Sequence, residues 1–473
     1  MNRNPKDNMT RYAATLNCCL ALLLAGTVAN VYSATDTPVN PSSEGEVLPL
    51  ELTIGKVIEL TYRHNPALRE SREKLREQQG RMTSTGSVRL PALDAFGNYQ
   101  VEDQSRLQSF GGSQDDTSWS AGVEVTQPLY AGGSLNAQIQ SQRESGQALL
   151  RQVEATQINV LADAFEKFYD ALLAREQIKV QQESLDLLKQ QLELANNRYQ
   201  AGSVPRFDVL QAEVRVANAQ PPLIRARNRY RVAIEDLRAT LGLPYPEGKQ
   251  AGDVTLEGSW ITTDAPLETD ALVETALSQR PELAELQHQQ RAVEYDLKQS
   301  TAQRQPRVNA LANYTVLNDR FSEDGDNLEG WLVGVQATMP LWEGGRIRGE
   351  VVQAKSRLEQ VKLREQELML SIEVEVRQAI SSVEEAREIL DAAELTIEQA
   401  TEAVRLADNR YQAGGITQLD VLSSQLELTR AKLEQITAAR DYQIQLVRLY
   451  RAIGNMPGQK YLDDADRIEL PTF

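Results

Sequence analysis

The stretch "NNRYQAGSVPRFDVL" occupies residues 196–210, and "DNRYQAGGITQLDVL" occupies residues 408–422. The two align without a gap at an offset of 212 residues. They share Asn197/Asn409, Arg198/Arg410, Tyr199/Tyr411, Gln200/Gln412, Gly202/Gly414 and Asp208/Asp420. Gly202 and Gly414 suit the left-handed position that closes a helix, which other residues resist. A new helix starts at once. Thr417 and Asp420 have the T-x-x-D spacing of a capping box. In the first copy Pro205 pre-sets φ, and Asp208 favours the positive end of the helix. Each copy is therefore the tip of a helical hairpin, and the chain carries two equivalent tips.

Outward from the tips the duplication continues. "RHNPALRE" (63–70) matches "SQRPELAE" (278–285), and "RLPALDAFGNYQ" (89–100) matches "QPRVNALANYT" (305–315). "TQPLYAGGSL" (126–135) matches "TMPLWEGGRI" (338–347). The order is the same in both halves. The offset changes only from 215 to 212, between Tyr99/Tyr314 and Pro128/Pro340. A tandem duplication of this kind sets the architecture before any single element is assigned.

Each half reads helix, two strands, very long helix, tip, helix. Residues 147–201 and 350–413 contain no Gly or Pro. They are rich in helix formers, and 64 helical residues reach roughly 96 Å. Apolar positions recur at three and four, as in Ile380, Val383, Ala386, Ile389 and Leu390, which predicts coiled-coil packing. Single shorter helices are predicted over 52–87, 206–241, 269–304 and 418–453. The first repeat spans 49–243 and the second 269–457, with a connector at 244–268 and a tail at 458–473. Within the first tip's returning helix, Pro221-Pro222 predicts a kink absent from the second half, where Leu433-Glu434 stand.

The strands predicted at 92–101, 119–128, 308–316 and 331–340 alternate. Trp119, Ala121, Val123 and Val125 oppose Ser120, Gly122, Glu124 and Thr126, and Tyr314 and Trp331 fall on the same apolar face. Asp94, Asn98, Glu124, Asn309, Asn313 and Gln336 form the polar face. Strands of this length with one face of each kind suit the wall of an outer-membrane barrel, with the polar set toward the lumen. The tyrosines and tryptophans suit its interfacial belts. Four strands cannot close, and a barrel in lipid must. The barrel is therefore expected to be shared between chains. Two copies give eight strands and three give twelve, and helices this long around a conduit favour the larger ring. The polar, acidic segments 102–118 and 318–329 read as exposed loops.

The chain has 473 residues and a formal net charge of −17. Residues 1–33 read as a signal peptide: Arg3, Lys6 and Arg11 precede an apolar core at Leu20–Ala29, with small residues before Ala34. Both cysteines, Cys18 and Cys19, lie inside that segment, so the mature chain is expected to carry neither disulfide nor thiol chemistry. The Pro/Ser-rich residues 34–48 read as a flexible lead. The acidic balance argues against nucleic acid as a partner. After the signal no apolar run is long enough for a spanning helix.

A signal peptide, a duplicated half, paired strands between long helices, and two N-R-Y-x-x-G-x-x-x-x-x-D-V-L tips together resemble the TolC-like outer-membrane efflux and secretion ducts. The resemblance covers about residues 50–457. The fold it implies is mainly α with a small β part. Three chains form a twelve-stranded transmembrane barrel on a long periplasmic α-barrel of coiled-coil hairpins. It implies that the tips dock the adaptor protein of an inner-membrane pump. That role falls on Arg198, Tyr199, Gly202 and Asp208, and on Arg410, Tyr411, Gly414 and Asp420. Glu193 and Asp408, within a turn or two of the tips, are candidates for a carboxylate gate at the periplasmic entrance.

No catalytic constellation is present, and no cofactor or metal is expected. The two histidines, His64 and His288, sit in surface-like helical sequence and suggest structural roles. Gly132-Gly133 and Gly344-Gly345 lack the remainder of a phosphate loop and read as turns. The competing function is a periplasmic coiled-coil tether or adhesin stalk without a pore. Paired amphipathic strands at equivalent positions argue for the duct, because a stalk has no use for them.

Overall fold

Two helices of 67 residues dominate the chain, α3 (Ser134–Gln200) and α7 (Arg346–Gln412). Each is about 100 Å long at helical rise. This computed structural model describes residues 47–102, 117–260, 268–318, 327–413 and 415–458. The signal segment and most of the lead and tail lie outside them. The other helices are α1 (Ile54–His64), α2 (Pro66–Ser87), α4 (Arg206–Leu241), α5 (Thr269–Gln279), α6 (Pro281–Ala302) and α8 (Gln418–Ile453). The strands are β1 (Glu51–Leu52), β2 (Ala92–Val101), β3 (Thr117–Tyr130), β4 (Thr255–Leu256), β5 (Arg307–Asn318) and β6 (Asn327–Thr338).

The two glycine-rich turns launch the long helices. Gly132 and Gly133 have φ of 62° and 84°, and Gly344 and Gly345 have φ of 58° and 90°. Only glycine takes two successive left-handed positions cheaply. Both helices begin before the Gly-free windows suggested, and Gly146 and Gly349 lie within them.

The regions 52–87 and 269–304 are not single helices. Each breaks once, at Asn65 and at Arg280. Pro66 and Pro281 are the cause, since a residue before proline is pushed out of helical backbone. Asn65 has ψ 127° and Arg280 has ψ 121°. The Asn65 carboxamide oxygen then accepts from the N–H groups of Ala67 and Leu68 at 2.9 and 3.2 Å. The kink expected at Pro221-Pro222 does not interrupt α4, which runs 36 residues like α8. Two missing N–H donors are outweighed by packing along α3, which carries most of a helix's stability in a bundle.

α3 pairs with α4 and α7 with α8, and α6 packs against both long helices. The largest apolar cluster gathers Leu52, Leu60, Leu161, Phe168, Leu172, Ile234, Leu237 and Leu241, while Ile372, Val376, Ile380, Val383 and Leu446 form a second around α7 and α8. Leu48, at the end of the proposed lead, is fully buried in the first cluster, and its N–H donates to the Pro244 carbonyl at 2.8 Å. The connector does more than join the halves: its β4 pairs in parallel with β1. His64 is buried, not on the surface. His288 Nδ1 sits 2.7 Å from the Glu144 carboxylate, which also accepts from Arg291, tying α6 to α3. Burial pushes the Glu144 carboxyl up, but those hydrogen bonds outweigh it and leave it below the usual carboxylate range.

The main sheet is antiparallel in the order β2-β3-β5-β6, so β2 and β6 are its edges. β3, β5 and β6 extend past the predicted limits into the polar segments. Residues 103–116 and 319–326 lie outside the described residues. β3 passes Pro128 with a register shift before Tyr130, the kind of irregularity that lets a strand hold a proline. β6 stops at Thr338, ahead of Pro340.

Candidate functional site

The first tip closes α3 with two hydrogen bonds. Gly202 N–H donates to the Tyr199 carbonyl and Ser203 N–H to the Arg198 carbonyl, both at 2.9 Å. Gly202 has φ 74°, the left-handed position this double closure requires. Pro205 is extended and opens α4, and Asp208 lies in the first turn. At the second tip Gly415 N–H donates to the Arg410 carbonyl at 2.8 Å, the counterpart of the Ser203 bond. Gly414 lies outside the described residues.

The two tips start their next helices differently. Thr417 donates to the Asp420 carboxylate from its N–H at 2.8 Å and its hydroxyl at 2.7 Å. These bonds hold the Asp420 carboxyl below the usual carboxylate range, the hydroxyl bond first. In the first tip the equivalent residue is Pro205, which has neither N–H nor hydroxyl to give; the bond from Asp208 N–H to the Pro205 carbonyl at 3.1 Å is common to both tips, matched by Asp420 N–H to the Thr417 carbonyl at 3.1 Å.

The fold brings the tips together. Arg198 donates to the Tyr411 hydroxyl, and its guanidinium lies over the Tyr411 ring, 5.1 Å from the centroid. Gln191 donates to Gln425 at 2.6 Å between α3 and α8. Lys432 pairs with Glu183 at 2.9 Å along the same seam. The mirror contact, Arg410 with Tyr199, is absent among the described residues of one chain, and both side chains are exposed. Glu193 is exposed and Asp408 half-buried. Sequence reasoning missed the Arg198–Tyr411 pairing, although both residues stood in the repeated motif.

At the other end of the long helices the sheet sorts its side chains. Asp94 lies opposite Glu124, Glu124 opposite Asn313, and Asn309 opposite Gln336. Asn98 lies opposite Ser120. Directly opposed residues share a face and alternate positions return to it, so all six polar candidates lie on one face. Phe96 shares that face, and its ring covers Gly122. Tyr99 opposes Trp119 and Tyr314 opposes Trp331 on the other face. Among the described residues no helix is long and apolar enough to cross a membrane, and no cluster of three or more His, Asp or Glu is placed to hold a metal ion.

The sequence model for outer membrane efflux proteins matches residues 57–243 and 272–455, the two structural repeats. The chain belongs to the outer membrane efflux protein family. It is 24% identical over 388 residues to the pyoverdine export outer membrane protein OpmQ of Pseudomonas aeruginosa, covering 80% of this chain and 79% of the relative. It is 25% identical to the alkaline protease secretion protein AprF of the same species, over 76% of this chain and 73% of that one. Outer membrane protein TolC of Escherichia coli is 22% identical over 86% of this chain and 83% of its own length. In three dimensions the chain matches the outer membrane channel CmeC of Campylobacter jejuni with a TM-score of 0.71 at 15% identity, covering 85% of each. VceC of Vibrio cholerae matches with a TM-score of 0.70 at 19% identity, over 85% of this chain and 96% of that one. As a TolC-like efflux protein, the chain is placed in the outer membrane of a Gram-negative cell and extends into the periplasm.

Proposed function

We propose that this efflux protein is the passive exit duct of a tripartite pump or type I secretion system. It conducts substrate from an inner-membrane pump through periplasm and outer membrane. One observation carries the proposal: an amphipathic four-stranded sheet with two open edges stands at one end of 67-residue helices whose far ends are hairpin tips. Such a sheet is stable in lipid only when further copies close it, and closure around the polar face makes a water-filled path. Asp94, Asn98, Glu124, Asn309, Asn313 and Gln336 line that lumen, and the aromatic pairs face lipid headgroups. The duct is a homotrimer. Its energy comes from the pump, and the chain performs no catalysis.

The tips are the contact with the periplasmic adaptor, through Arg198, Tyr199, Gly202 and Asp208 and their counterparts Arg410, Tyr411, Gly414 and Asp420. The carboxylates Glu193 and Asp408 stand at the periplasmic gate. The test is conductance of the purified protein in a planar bilayer. Stepwise openings with mild cation preference are expected from an acidic lumen, read at low salt because screening hides the effect at high salt. Absence of conductance from trimers correctly inserted in the bilayer, or a clear anion preference, overturns the assignment.

A further inference from the structure

The sheet carries a second set of aromatic residues where its strands meet the helices. Eleven residues separate Trp119 from Tyr130 on β3, and eleven separate Trp331 on β6 from Trp342 just beyond it. The register shift at Pro128 decides which way Tyr130 faces. It sets Tyr130, not Leu129, opposite Val308, and Val308 lies on the face of Tyr314 and Trp331. A bulge re-aims a side chain in this way. Trp342 is the duplicate of Tyr130 at the offset of 212. It is 87% exposed, beside Leu341 at 90%. At about 3.4 Å per residue and a tilt of about 40°, eleven residues climb roughly 29 Å. That is close to the apolar band of a barrel wall, about 25 Å tall between two aromatic girdles.

The same level is cationic. Arg89 and Arg304 are duplicates at the offset of 215 and occupy matching turns between helix and strand. The N–H of Arg89 donates to the Gly86 carbonyl at 3.2 Å, and that of Arg304 to the Thr301 carbonyl at 3.3 Å. Both side chains are exposed, and neither has an ion pair among the described residues. Residues 82–93 and 299–312 hold three arginines and no acid. Glu343, the first acid after β6, is taken by Arg346, which also pairs with Glu350 at 2.7 Å. The third arginine, Arg307, lies opposite Thr338 on the polar face. The polar pocket on that side is lined by Gln303, Arg307 and Asn309, and Arg304 takes no part in it. Arg304 heads β5, which runs between β3 with Tyr130 and β6 with Trp342 beyond its end. At the other end of the sheet the charge is reversed, since residues 102–118 and 318–329 carry nine acids and two arginines.

We infer that Arg304, flanked by Tyr130 and Trp342, holds the headgroup phosphate of an anionic glycerophospholipid in the periplasmic leaflet, and that Arg89 repeats the site at the head of β2. A guanidinium matches a phosphate with two parallel N–H bonds and stays charged at every periplasmic pH. Tyrosine and tryptophan rings suit the boundary between hydrocarbon and headgroup. A zwitterionic lipid brings its own ammonium toward the guanidinium, and a lipid with a glycerol headgroup does not, so charge favours the second. The leaflet follows from the helices. This is the end of the sheet from which α3 and α7 run into the periplasm, and the leaflet on that side is built of glycerophospholipid. The inference rests on the duct proposal above and names a lipid partner for the barrel wall.

The test is native mass spectrometry of the full chain, assembled in mild detergent and titrated with phosphatidylglycerol or with phosphatidylethanolamine of the same acyl chains. One arginine beside each headgroup is expected to favour phosphatidylglycerol by about fivefold. Arg89→Gln with Arg304→Gln should abolish the preference. Arg357→Gln with Arg364→Gln removes the same charge from exposed positions of α7 and should leave the preference intact. Trp342→Ala should weaken both lipids alike and keep their ratio. Should the paired change prevent assembly, Arg304→Gln alone is read, and the preference should fall without vanishing because Arg89 remains. Equal uptake of the two lipids by the parent, or a preference that survives loss of the arginines, overturns the inference. Displacement of the lipid by inorganic phosphate in large molar excess reduces the site to a phosphate site and overturns the lipid assignment. Bilayer conductance is read on the same samples. Parent protein that conducts without a lipid preference loses this inference alone, and parent protein that prefers the anionic lipid but never conducts loses the duct reading instead.

Discussion

The guanidinium of Arg198 lies over the ring of Tyr411, 5.1 Å from its centroid, and donates to its hydroxyl. The duplicated motif supplies one partner from each copy, so the two hairpin tips hold each other. Arg198 and Tyr411 are half-buried, and a cation–π contact is worth at least about 0.5–1 kcal/mol. Arg198→Ala or Tyr411→Ala is therefore expected to speed amide exchange at Ser203 and Gly415 by about 2–5-fold. The double variant should add little to either single change. Hydrogen exchange with mass readout checks this, and unchanged exchange at the second tip in Arg198→Ala would show that the tips are held independently.

Gly202 has φ 74° with open space where a Cβ would stand, so the cost of a larger residue is purely conformational. Gly202→Leu should cost on the order of 1–2 kcal/mol at its left-handed site, and it is tested together with Gly414→Leu in the second copy of the motif. The long helices should tolerate that at their ends. Normal protein levels in the outer membrane are expected, with loss of export and of adaptor cross-linking. Export that persists at normal assembly would remove these glycines from docking.

Asp420 titrates against a fixed partner. Its carboxyl is held low in the folded chain by Thr417, so the cap stabilises the start of α8 above the ordinary carboxylate pKa of about 3.9. That contribution is lost as pH falls through the lowered folded value. Protection of the first turn of α8 should drop on acidification below about pH 4, and Asp420→Asn should flatten the response.

Gly122 has no room for a side chain. A Cβ there would stand 2.4 Å from the Tyr314 carbonyl oxygen and 2.9 Å from the Phe96 ring. Gly122→Val should cost about 1–3 kcal/mol by overpacking and lower the heat at which the assembled barrel comes apart on a semi-native gel. Gly97→Val, with nothing within 4 Å of its Cβ, is the matched control and should behave like the parent.

From the sequence alone the duplication, the two long helices, the four alternating strands and the two tips were legible. Each rests on local rules: runs free of Gly and Pro, a period of two, and glycine at left-handed caps. The six polar strand residues could be grouped for the same reason, since alternation assigns faces without knowledge of neighbours. Pro66 and Pro281 were also in plain view, yet the helix breaks they cause were hidden inside otherwise helical runs. Pro221-Pro222 do not end α4, which stays continuous over 36 residues, because packing along α3 outweighs two missing backbone donors. Only the tertiary structure joined β4 to β1, buried Leu48 and His64, and set Arg198 on Tyr411. Those contacts link residues far apart in the chain, and local pattern carries no record of which distant surface a side chain will meet. The strand order belongs to the same class: alternation tells a strand which way its side chains face, and only packing tells it which strand lies beside it.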